Sequence, residues 1–201
     1  EWAIEESEVR YITGGNDVGP TSVYPGQKVL YRSDTKAPLA VVSKRFQVVQ
    51  PGEILEFYRD LTEVGGFELE TAGVLREGRK VWALARTGQS ARLAGKDQVD
   101  GYLLLATACD GTLATTAQFT SVRVVCNNTL QASLKNDAGQ TQVTISHQAI
   151  FDPASVRVDL GLTLNSWEGF KMQAGLMAKR KIKDIEVDAW LLELFEPFMP
   201  Y

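Results

Sequence analysis

Residues 102–126, YLLLATACDGTLATTAQFTSVRVVC, set an apolar run and a Thr- and Val-rich run on either side of Asp110-Gly111. Asp-Gly is a strong two-residue hairpin signal, because the central positions of such a turn need positive φ angles that these residues tolerate. A hairpin there predicts a register pairing Tyr102 with Phe119, Leu104 with Ala117 and Ala108 with Leu113 on one apolar face. Gln118, Thr116 and Thr112 fall on a half-polar face. A second hairpin precedes it: FELETAGVLREGRKVWALAR, 67–86, has Glu77-Gly78 at its apex and sets Trp82 opposite Gly73, an aromatic ring over a glycine gap. Consecutive hairpins of this pattern commit the chain to an antiparallel sheet with one face on a core.

The flanking segments add edges and helices. Residues 13–38 are rich in Gly, Pro, Ser, Thr and Asn, broken by the strand-like VLYR at 29–32, and read as loop and edge structure. LAVVSKRFQVVQ, 39–50, is a strand candidate stopped by Pro51-Gly52. Glu53 to Val64 spaces Ile54, Leu55, Tyr58 and Leu61 as a helix, ended by Gly65-Gly66. Beyond residue 127 come a short helix at 128–135, a polar turn at 136–139 and a strand at 142–146. A long helix then opens on Asp152 and Pro153, with Val156, Leu160, Leu164, Trp167, Phe170 and Leu176 as its apolar stripe. A last helix covers 184–196. The expected fold class is α+β, an antiparallel sheet built from hairpins packed against C-terminal helices. Residues 1–38 form an N-terminal arm or edge segment, and 39–201 a single α+β domain with a helical C-terminal part.

Composition narrows the function classes. The chain has 201 residues and a formal charge of −4, which argues against a globally basic nucleic-acid binder, so any such surface is a local patch. No segment reaches the roughly 18 apolar residues of a membrane helix, and no membrane partner is expected. Two cysteines are too few for a disulfide framework or a thiolate zinc site, and a reducing cytoplasm is the default compartment. A single histidine, His147, rules out a His-rich metal cluster. No phosphate loop, dinucleotide fingerprint, nucleophile elbow or zinc spacing is present. No cofactor and no metal is expected. Glu68, Glu70 and Asp110 are the carboxylates that a metal-dependent nuclease would use.

Basic residues interleaved with aromatics are the most informative feature. Lys44 and Arg45 sit within the predicted strand, while Arg76, Arg79, Lys80 and Arg86 crowd the first hairpin near Trp82 and Phe46. Lys179, Arg180, Lys181 and Lys183 cluster at the end of the long helix. On a sheet such residues suit sequence-tolerant single-strand binding, with cations along the phosphates and rings stacked on bases. The same residues also suit an ordinary solvated surface. His147, at the end of QVTISH, is read as a partly buried hydrogen-bonding residue or as a contact to base or phosphate.

Cys126 has two readings, a nucleophile in a polar pocket or a small buried side chain where a strand joins a helix. Val122, Val124 and Cys126 alternate as buried strand residues do, which favours the structural role. Asn128 is a favoured helix cap, and Gln131 three residues on completes a capping box. Asp110 and Gly111 are assigned the turn.

LAVVSKRFQVVQ, ETAGVLREGRKVWALAR, YLLLATACDG and above all SVRVVCNNTL, with the strand ending in His147 and the terminal WLLELFEP, resemble a family of phage- and plasmid-like proteins, domain of unknown function 932. The resemblance runs from about residue 39 to 196. It implies no catalytic residues, and it implies work on DNA or in defence within a bacterial host cell. More remotely, the layout is similar to single-strand annealing recombination proteins. The expectation is a non-enzymatic mobile-element protein that binds single-stranded DNA, promotes annealing and forms a homo-oligomer. Lys44, Arg45, Arg76, Arg79, Lys80 and Arg86 would hold phosphates while Trp82 or Phe46 stacks. The alternatives are a protein-binding module that modulates a host defence or replication factor, using Phe195, Phe198 and Tyr201, and the metal-dependent nuclease.

Overall fold

The structure is a computed structural model that describes residues 2–14, 18–65, 67–93, 97–135 and 142–161, with residue 172. Two antiparallel sheets carry the architecture. The first holds β1 (Ile4–Ile12), β2 (Thr21–Arg32) and β3 (Pro38–Ser43), in that order. The second holds β4 (Glu68–Leu75), β5 (Lys80–Leu93), β6 (Asp97–Ala108), β7 (Thr115–Thr120) and β8 (Gln142–Ile145), also in chain order. Helices α1 (Pro51–Gly65), α2 (Asn127–Leu134) and α3 (Pro153–Gly161) complete it. The α+β class holds, with helices against both faces of the larger sheet.

One face of that sheet carries Val81, Ala83, Ala85, Leu103, Leu105, Ala117 and Phe119 and packs against Ile54, Phe57 and Tyr58 of α1 and Val156 and Leu160 of α3. The helical spacing of Ile54, Tyr58 and Leu61 aims α1 inward, whereas Leu55 points outward and is half exposed. The buried Tyr58 hydroxyl lies 2.8 Å from the Ala83 carbonyl and 3.0 Å from that of Leu103. Asp152 starts α3 as expected, accepting from the Ala154 amide at 3.0 Å. Apart from Met172, the remainder of the predicted long helix lies outside the described residues, as do the helix at 184–196 and Lys179, Arg180, Lys181, Lys183, Phe195, Phe198 and Tyr201. The opposite face carries Trp82, Leu84, Tyr102, Leu104 and Ala106 under Leu130 of α2.

The first hairpin has the expected register: Gly73 pairs with Trp82. A Cβ on Gly73 would meet the indole at 2.9 Å, so only glycine fits beneath that ring. Its loop is wider than a two-residue turn, because Leu75 pairs with Lys80 and a 3-10 turn, Arg76–Gly78, fills the apex. The second hairpin departs from expectation by one residue. At its tip the Ala108 amide donates to Leu113 O and the Gly111 amide to Ala108 O, so the loop is the four residues 109–112 around Asp110-Gly111 and not a two-residue turn. The ladder beyond pairs Ala106 with Thr116, Leu103 with Phe119 and Tyr102 with Thr120. One extra residue on the returning strand, just after the turn, shifts the register, and a one-residue slip changes which faces meet. Phe119 therefore shares the α1 face with Leu103, and Tyr102 lies on the α2 face.

Two other expectations are corrected. Residues 21–32 form one twelve-residue central strand, of which only 29–32 was expected as strand. Its Pro25-Gly26 falls where the ladder to β1 breaks, between Glu8–Lys28 and Arg10–Val23, and an irregularity tolerates a residue with no amide to donate. The strand predicted at 39–50 stops at Ser43, so Lys44 and Arg45 occupy the turn that follows it.

The smaller sheet packs on the turns of the larger one. Ile4, Leu30, Leu39 and Val42 enclose Cys109, the residue after β6. The Arg32 guanidinium sits 4.3 Å from the Trp2 ring centroid and donates to Glu77 O at 3.3 Å. Gly78, at φ 107°, is buried under Trp2, where a Cβ would lie 3.1 Å from the ring.

Candidate nucleic-acid interface

Where β3 ends, the main chain folds back onto the larger sheet and builds a groove. The Lys44 amide donates to Gly26 O, the Phe46 amide to Ser43 O, and the Gln47 amide to His147 O at 2.7 Å. These bonds carry Phe46 onto His147, with ring centroids 4.3 Å apart and planes at 19°. Both imidazole nitrogens face main-chain carbonyls, and the one that carries the proton donates: Nδ1 lies 3.2 Å from Gln47 O and Nε2 3.0 Å from Leu113 O. The stacked pair lines a groove of about 430 Å³ with Ser43, Gly111, Ala114, Thr144, Ser146 and Gln148. Gly111, at φ 75°, presents only backbone there.

Cations surround this end of the sheet. Lys44 and Arg45, both exposed, form the turn between two lining residues, Ser43 and Phe46. The β4–β5 turn adjoins the β6–β7 turn, since the Cys109 amide donates to Arg79 O at 2.9 Å. Arg76 is exposed, Arg79 half-buried, and Lys80 buried at 5% exposure. The Arg79 Nε is enclosed without a hydrogen-bond partner. Among the described residues, none of Lys44, Arg45, Arg76, Arg79 and Lys80 makes an ion pair. Asp110 is the acidic group that feels them. Burial works to raise its carboxyl, but hydrogen bonds from the Thr112 hydroxyl and amide and the nearby Lys80 and Arg76 outweigh that and hold it below the ordinary value.

The structure thus gathers Lys44, Arg45, Arg76, Arg79, Lys80 and Phe46 around one end of the larger sheet, and leaves two predicted contacts elsewhere. Trp82 is 4% exposed, packed against Gly73, Leu84 and Leu104, and borders the apolar pocket beside β4 rather than the groove. Arg86 donates to Glu70 at 2.9 Å, and Arg123 holds the other oxygen of the same carboxylate at 2.9 Å. Glu70 is therefore spoken for, and it lies toward the far end of the ladder from Asp110. Glu68, Glu70 and Asp110 do not converge, and no group of three or more His, Cys, Asp or Glu side chains placed to hold a metal occurs among the described residues.

Cys126 is exposed rather than buried and is itself the N-cap of α2. Thr129, not Gln131, completes the reciprocal arrangement, its Oγ1 accepting from the Cys126 amide at 3.0 Å. Asn128 lies one residue inside the helix. The Thr129 hydroxyl, then the Thr129 and Asn128 amides, lower the Cys126 thiol below its usual range. Sequence reasoning missed Ser43, Thr144, Ser146 and Gln148. They are small polar residues from separate segments, and nothing in their spacing marks them.

A family model described as Domain of unknown function (DUF932) matches residues 38–199, and the chain belongs to that family. No curated protein and no solved structure matches it.

Proposed function

For this member of the DUF932 family, we propose binding of single-stranded nucleic acid, DNA in the first place, at the cationic end of the five-stranded sheet. The observation that carries this reading is the exposed set Lys44, Arg45 and Arg76, with no ion pair among the described residues, at the end of the sheet that also holds a groove lined by a fixed aromatic stack. Side chains of this kind neutralise phosphates, and an overall charge of −4 does not oppose it, because the field near the surface is set by local groups. The protein acts without catalysis, as an annealing or recombination factor of mobile elements that assembles as a homo-oligomer in the bacterial cytoplasm.

Fluorescence anisotropy of a labelled oligonucleotide against salt tests the reading. Log affinity should fall by about 0.7 per phosphate contact for each tenfold rise in salt. Absence of binding by micromolar protein at low salt sinks it.

A second reading draws on β4, which has no strand on its outer side among the described residues. Leu69 and Val74 are half exposed there, and an apolar pocket of about 280 Å³ lies between Ala72, Gly73, Val74, Trp2 and Leu55. An edge strand beside such a pocket suits β-augmentation by a partner peptide, in keeping with a module that modulates a host defence or replication factor. A stoichiometric partner retained from bacterial lysate after nuclease treatment would support it.

A further inference from the structure

We infer that the groove beside Phe46 and His147 takes one nucleobase out of the bound strand, an inference that rests on the nucleic-acid reading above. Its volume of about 430 Å³ lies near the low end of the roughly 300–1,000 Å³ over which pockets hold small ligands. That suits one base with its sugar, not a stacked pair.

The lining is neutral. Ser43, Thr144 and Ser146 bring hydroxyls and Gln148 an amide, groups that both donate and accept, and no Asp, Glu, Lys or Arg is among the described lining residues. Such a lining accepts the polar edge of any base and carries no charge to repel the strand. His147 supplies a surface rather than chemistry, since both ring nitrogens already face main-chain carbonyls. Its imidazole stacks on Phe46, so an incoming base extends an existing stack and does not have to order one. The phosphates flanking that base would fall at the rim, where Lys44 and Arg45 stand between the lining residues Ser43 and Phe46. Recognition of this kind is tolerant of sequence, because every base has a π-face.

The test compares a thymine oligonucleotide, an abasic oligonucleotide of equal length, and an abasic one carrying a single thymine. Stacking of one base predicts that the abasic strand binds about 5- to 150-fold more weakly than thymine. One thymine should restore most of that loss. Thr144→Trp, and separately Gln148→Trp, both at exposed positions, should bring thymine binding down to the abasic level and leave the salt slope unchanged. Circular dichroism confirms that the variants fold.

Equal affinity for abasic and thymine strands overturns the inference and leaves backbone binding standing. A strand needing several thymines for recovery overturns the single-base version. Free thymidine monophosphate that binds as tightly as the single-thymine strand would make this a nucleotide pocket, and would also overturn it. Failure of every strand to bind removes the reading beneath it.

Discussion

At the far end of the β4–β7 ladder, Arg86 and Arg123 each hold one oxygen of Glu70, a carboxylate with 16% of its side chain exposed. At the near end, Arg76, Arg79 and Lys80 stand with Lys44 and Arg45 and pair with no carboxylate among the described residues. Lys80 and Arg86 are six residues apart on one strand, about 20 Å at an ordinary strand rise. The smaller sheet repeats the far-end pattern, since Lys28 pairs with Glu6, Lys36 with Glu5 and Arg32 with Asp34. A guanidinium shared with a carboxylate has already exchanged its water for a protein partner and has little left to offer a phosphate. What distinguishes the near end is thus the absence of ion pairs among the described residues, not a larger number of basic residues.

That contrast can be broken deliberately. The largest effect is expected from the triple variant Lys44→Ala, Arg45→Ala, Arg76→Ala, whose log–log salt slope should flatten by about 2 through the loss of phosphate contacts. Arg86→Ala should leave the slope where it was. Equal slopes for the two variants would erase the distinction between the ends. Glu70→Gln comes next. It removes the charge that two arginines share and should cost about 1–3 kcal/mol in urea unfolding. In the same variant the freed guanidiniums should steepen the salt dependence, making the far end behave like the near one.

Asp110→Asn has a smaller effect, within about 0.5 kcal/mol at neutral pH, because asparagine also supports the turn. The Asp110 carboxyl titrates below its ordinary value in the folded protein. Its stabilisation is therefore present above the unfolded value, near pH 4 for aspartate, and is lost as pH falls through the folded value. Urea midpoints of wild type and variant should converge on acidification, and a gap that widens would contradict the assignment.

The cysteines give the mildest contrast. Burial, with Asp110 adding to it, pushes the Cys109 thiol up to about 11, while Cys126 is exposed and lowered. Iodoacetamide at pH 8 should alkylate Cys126 alone in the folded protein, as read by peptide mass. Cys126→Ser should leave the salt slope unchanged.

Much of this was legible in the residues, for identifiable reasons. The Gly73–Trp82 pair could be read because ring and gap are complementary and the turn centre fixes the register. Asp110-Gly111 marked where the chain reverses, though in a four-residue loop, and the extra residue behind it leaves no compositional trace; that residue decided that Phe119 and Tyr102 occupy opposite faces. β2 was hidden by its own Pro25-Gly26, which signal a loop although the ladder accommodates them at a break. The Asn127-Asn128-Thr129 run offered more than one capping register. The structure chose the one in which Thr129 reaches back to Cys126, an unusual cap residue. Lys44, Arg45 and Phe46 were expected within a strand, but the strand ends at Ser43 and they follow it in a turn. Trp82 and Arg86 were ordinary candidates until packing and Glu70 claimed them.

Cys109 follows a strand of the larger sheet yet spends its side chain inside the smaller one, among Ile4, Leu30, Leu39 and Val42. The family match begins at residue 38, after two of those partners. A polypeptide cut to the family boundary would keep Leu39, Val42 and Cys109 but lose Ile4 and Leu30, leaving a sticky apolar scar on its surface. The recurrent stretch of sequence and the stretch that closes this apolar cluster are, in this molecule, different lengths of chain.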